Sequence, residues 1–108
     1  MLLQTLGHSW VDVLKIDVEG SEFETFEQLR LLQSGLPFTQ LQMEVHFGWG
    51  STGGETHANA AQLNLLSDLM ESGLRTMSVE PNIYYNGQTC MEFAMIQMDR
   101  CGNVVTPL

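Results

Sequence analysis

Apolar and polar positions fall into six blocks along the chain, and the spacing within each block predicts its element. Residues 10–17, WVDVLKID, form a short run rich in valine, the pattern of a strand buried on both faces of a parallel sheet. Glu19-Gly20 turns the chain, and Ser21 with Glu24 makes a capping box that opens a helix over 21–34. Phe23, Phe26, Leu29 and Leu32 recur at about helical spacing, which leaves Glu22, Glu27 and Arg30 on the wet side. Gly35 and Pro37 stop that helix. Residues 39–47, TQLQMEVHF, alternate: Leu41, Met43, Val45 and Phe47 share one face, and Gln42, Glu44 and His46 the other.

A glycine-rich loop, GWGSTGGE at 48–55, leads to a helix over 57–72 with Ala61, Leu65, Leu66, Leu69 and Met70 as its apolar stripe. Gly73 suits a left-handed cap, followed by apolar Leu74. Residues 75–80 predict another strand, and Asn86-Gly87 marks a tight turn inside the loop from Pro81 to Gln88. Residues 89–98, TCMEFAMIQM, predict the last strand, with an irregular tail from Asp99 to Leu108. The order strand, helix, strand, helix, strand, strand reads as one α/β domain over 1–108. Its sheet is expected to be mostly parallel with a closing antiparallel hairpin.

Charge narrows the partners. Thirteen acids against four lysines and arginines give a formal charge of −9. A surface this negative repels phosphate backbones and anionic lipid, which argues against nucleic-acid binding or membrane contact by this segment. No apolar run approaches the roughly 20 residues that span a bilayer, and Met1 to Gly7 carries no secretory pattern. The segment reads as soluble, without a targeting signal that would fix a compartment. Cys90 in a strand and Cys101 in a polar tail read as two free thiols rather than a disulfide framework. The seven methionines suit adaptable core packing.

Three segments carry a family resemblance. LKIDVEGSEFETF at 14–26 resembles the most recognisable block of FkbM-type methyltransferases, and LQMEVHF at 41–47 is similar to that family's next strand with its Glu-x-His. VEPN at 79–82 with CMEFAMI at 90–96 resembles the closing hairpin of a eukaryotic branch called methyltransferase-like proteins. The resemblance implies a partial class I methyltransferase (Rossmann-like) sheet. The strands at 10–17, 39–47, 75–80 and 89–98 would then be its fourth to seventh. It implies S-adenosylmethionine as the cofactor of the complete protein, and O-methylation of a hydroxyl on a small-molecule or glycan acceptor. It also implies that this chain is the carboxy-terminal half of the domain. The glycine turn and acidic strand end that hold the cofactor would lie in the other half, so its cofactor-binding residues are unknown.

Ligands of open α/β sheets sit beyond the carboxyl ends of the strands. Asp17 and Glu19 lie there on the first strand, and Glu44 and His46 on the second. If these strands are parallel neighbours, three carboxylates and an imidazole meet at one rim. Asp17, Glu44 and His46 are the candidate catalytic residues, His46 as a base because an imidazole titrates near neutrality. Asp17, Glu19 and Glu44 can alternatively hold a divalent metal that acidifies the acceptor hydroxyl. Structural roles compete with each. Asp17 and Glu19 suit the positive end of the following helix. Glu44 can pair with Lys15 across strands, and His46 can be a hydrogen-bonded strand end. His8 and His57 read as loop and helix-start residues. Glu19, Glu80 and Asn82 are candidates to orient the acceptor, with Glu92 nearby, although a hairpin flank with Asn and Pro is also plain turn chemistry.

Gly48-Trp49-Gly50-Ser51-Thr52-Gly53 spells G-x-G-x-x-G between a strand and a helix, a second candidate chemistry as a dinucleotide site. The polar residues of the preceding strand, the late helix start and an acid about 30 residues on, rather than about 20, weigh against it. A lid over a substrate site accounts for the same glycines and Trp49. Two function classes therefore stand at this point: a methyltransferase segment, and a non-catalytic module that self-associates through an exposed edge strand.

Overall fold

The computed structural model describes residues 2–17, 21–30, 35–46, 55–82 and 90–107, without the side chains of Leu2, Arg30, His46, residues 55–62, Asn82 and Cys90. Its elements are α1 (Leu2–Thr5), β1 (Val11–Ile16), α2 (Glu22–Arg30), β2 (Phe38–His46), α3 (Glu55–Glu71), β3 (Leu74–Asn82) and β4 (Cys90–Gln97). The short α1 has no counterpart in the sequence reading, whose first element begins at residue 10.

The four strands form one sheet in the order β1-β2-β4-β3. β1 and β2 pair in parallel, with Leu14 opposite Leu41 and Ile16 opposite Met43. β4 runs antiparallel to β2 on one side and to β3 on the other. Three strands thus share a direction and β4 opposes them. By pairing, however, the sheet is mixed rather than mostly parallel. β4 returns between β2 and β3, so two of the three ladders become antiparallel.

β1 departs from the expectation of burial on both faces. Ile16 is buried, but Asp12, Val13 and Lys15 are exposed. The strand is an edge of the sheet, and a valine-rich composition does not distinguish an edge from a centre. β2 carries out its alternation, with Leu41, Met43 and Val45 buried and Gln42 exposed. Phe47 lies outside the described residues.

At the start of α2 the Thr25 N–H donates to the Ser21 carbonyl at 3.1 Å, so Ser21 is the N-cap residue. The face that α2 buries is turned from the one expected. Glu22 is fully buried with Phe26, while Phe23 and Leu29 are half-buried. Residues 22, 26 and 29 are one face at a true 3.6-residue period, whereas a run of strict threes drifts off it. The expected end of this helix, at 31–34, lies outside the described residues. In α3, Leu65 and Leu69 are buried, but Met70 is 55% exposed and does not belong to the stripe. Met70 stands roughly 140° around the helix from Leu65, at about 100° per residue.

Gly73 closes α3 with φ 97° and its N–H donates to Met70 at 3.1 Å. β3 begins at once, and Leu74 is wholly buried. A register shift at Met77 bulges the strand. Pro81 and Asn82, expected in a loop, extend it, opposite Met91 and Cys90. An edge strand tolerates a proline because its missing N–H can face away from the ladder. The turn at Asn86-Gly87 lies outside the described residues.

The described tail, to residue 107, is irregular as expected, with a turn and one isolated bridge that fold it back on β4. Asp99 N–H donates to the Asn103 carbonyl at 2.8 Å, Val105 N–H to Gln97 at 2.9 Å, and Met98 bridges Val104. Gly102 at φ 82° makes the reversal, and the short-range signal was an Asp followed three residues later by Gly.

The core joins Leu41, Met43, Val45, Phe93 and Met95 of the sheet to Phe26, Leu65 and Leu69 of the helices. Both helices therefore pack on one sheet face. The opposite face carries the polar residues Lys15, Gln42, Glu44 and Glu92.

Candidate functional site

Alternation along β2 sends Gln42 and Glu44 to the face away from the buried Leu41, Met43 and Val45, and the backbone of His46 follows two positions after Glu44. The ladders then set their neighbours. Glu44 stands opposite Glu92 of β4, and Glu92 opposite Glu80 of β3. One step nearer the carboxyl edge, His46 stands opposite Cys90, and Cys90 opposite Asn82. Adjacent strands lie about 4.8 Å apart, so each row spans roughly 10 Å from β2 to β3. On the other side of β2, Lys15 pairs with Gln42 and Ile16 with Met43, which brings Asp17, just past β1, level with Glu44.

The backbone thus gathers Asp17, Glu44, His46, Glu80 and Asn82 at the carboxyl ends of β1, β2 and β3. Asp17 and Glu80 are exposed and Glu44 is half-buried. Glu19 lies outside the described residues, as do the side chains of His46 and Asn82. The row of three glutamates opposes like charges directly, an arrangement that costs a sheet some tenths of a kcal/mol up to about 1 per pair. Exposure of Glu80 and Glu92 to water and salt lessens that cost.

Next to the glutamates lies a cavity of about 170 Å³ lined by Lys15, Gln42, Glu44, Ser78, Glu80, Glu92 and Ala94 among others. Its depth has a simple cause. Ser78 and Ala94 face each other across β3 and β4 as small side chains, while the longer Lys15, Gln42 and glutamates stand around them. Of the residues lining the cavity, Gln42, Ser78 and Ala94 were not candidates from the sequence, and Lys15 entered only as a partner for Glu44. The signal for two of them was present, since Gln42 shares the face of Glu44 and Lys15 precedes Asp17 by two. Ser78 and Ala94 gave none, because their place depends on the β3–β4 register.

A cavity of this size holds a few polar atoms, well short of the roughly 300–1,000 Å³ usual for a small-molecule site. Among the described residues no group of three or more His, Cys, Asp or Glu side chains can hold a metal ion. The glutamate row is a line across strands, which does not converge on one point.

The remaining candidates fall elsewhere. His8 is exposed in the turn after α1, its N–H donating to the Leu3 carbonyl at 2.8 Å. His57 lies within α3 with its side chain outside the described residues. Cys101 is a free, exposed thiol. The stretch Gly48–Gly53 with Trp49 lies outside the described residues, and α3 starts at Glu55, closer to those glycines than the sequence suggested. No helix among the described residues is long and apolar enough to cross a membrane.

A protein-family model described as the methyltransferase FkbM domain matches residues 1–72, from α1 through α3. No curated protein and no solved structure matches the chain. The match contains Asp17, Glu19, Glu44 and His46, and ends before Glu80 and Asn82.

Proposed function

The chain belongs to the FkbM methyltransferase domain family, and from that premise we propose that it forms the acceptor side of an S-adenosylmethionine-dependent methyltransferase acting on a hydroxyl of a small molecule or sugar. One observation carries the reading. The parallel β1–β2 register brings Asp17 and Glu44 level at the carboxyl edge, where ligands of α/β sheets bind.

Adenosylmethionine would supply the methyl group on a sulfonium. The cavity of about 170 Å³ beside the glutamates is too small for it, so the residues lining that cavity are not assigned to the cofactor. The chain's own part is to hold an acceptor and take its proton. Asp17 or Glu44 would orient the acceptor hydroxyl by accepting its one O–H hydrogen bond, and that proton would pass to the carboxylate or to His46 as the oxygen takes the methyl group and a neutral thioether leaves. Such placement and general-base help are what a transfer of this kind requires. Glu19, Glu80 and Asn82 are proposed to contact the rest of the acceptor. A divalent metal on Asp17, Glu19 and Glu44 is an alternative aid. With no three-donor group among the described residues, no step is routed through it.

The test is made in the complete protein. Asp17→Asn and Glu44→Gln variants that keep the native circular dichroism should lose methyl transfer from labelled adenosylmethionine by about 100-fold or more. Variants that fold and methylate at the parent rate would sink the proposal.

A second reading rests on a different feature. Among the described residues β1 is an edge of the sheet, and its Val13 is 45% exposed, so a ladder they leave unpaired and an apolar side chain lie together. Self-association by strand addition would cover both. Sedimentation of the chain should then show mass rising with concentration, and Val13→Lys should abolish the rise. Monomer mass throughout the range would overturn this reading.

A further inference from the structure

We draw no further inference here: the strongest candidate, the row of Glu44, Glu92 and Glu80 across β2, β4 and β3 beside the cavity, is an acidic cluster belonging to the site already described, with no second observation that points to its ligand.

Discussion

Asp99 shows how one carboxylate organises a turn. Its Oδ1 accepts the backbone N–H groups of Asn103 and Cys101, both at 2.9 Å. The Asn103 bond foremost, helped by the one from Cys101, holds the Asp99 carboxyl below its usual value. A carboxyl whose folded pKa is lowered stabilises the fold above its unfolded range, and that contribution disappears as pH falls through the lower folded value. A carboxyl titration followed by NMR should therefore place Asp99 below the value of an unperturbed aspartate, with the Asn103 and Cys101 amides moving in step. A midpoint at or above that value would contradict the turn. Glu22 teaches the complementary lesson. A charged residue next to a capping serine reads as wet, and only the phase of α2 relative to the sheet turns it into the core beside Phe26.

The joint between α3 and β3 is the point where one element depends on another. Gly73 has φ 97°, and its carbonyl accepts the Met98 N–H at 2.9 Å, tying the helix end to the last strand. A Cβ added there would lie 3.0 Å from the Met98 carbonyl oxygen. Gly73→Ala should accordingly lower stability by at least roughly 1–2 kcal/mol, the cost of the left-handed conformation for an L-residue. Urea unfolding measures it, and an unchanged midpoint would mean that the joint can relax. Gly73 and Leu74 were legible as a cap and its apolar follower because both depend on local backbone chemistry. The bulge at Met77 was not, since it exists only in the register against β4.

For the molecule as a whole, a formal charge of −9 makes the compact state repel itself. Salt at about 0.15 M shortens the reach of that repulsion to roughly 8 Å. The thermal midpoint should then rise between low and moderate NaCl, and a midpoint that falls would show that attractive ion pairs outweigh the repulsion. The same excess of acid meets at the sheet edge, where β2, β4 and β3 each contribute a glutamate to one row. The family match covers β1 and β2 with Asp17 and Glu44, while the strands bearing Glu80 and Glu92 lie beyond it.

The sequence alone determined the α/β class and the alternating faces of β2, because hydrophobic period and turn residues act over a few positions. It also revealed the family, since LKIDVEGSEFETF carries its signature in order. The lateral order of the strands was decided only in three dimensions. By inserting β4 between β2 and β3, the fold set Glu44 against Glu92 and Glu80, and opened a cavity over Ser78 and Ala94. Tertiary packing likewise buried Glu22 and left β1 at the edge. Each of these depends on which distant segment lies alongside, and no local pattern encodes that choice.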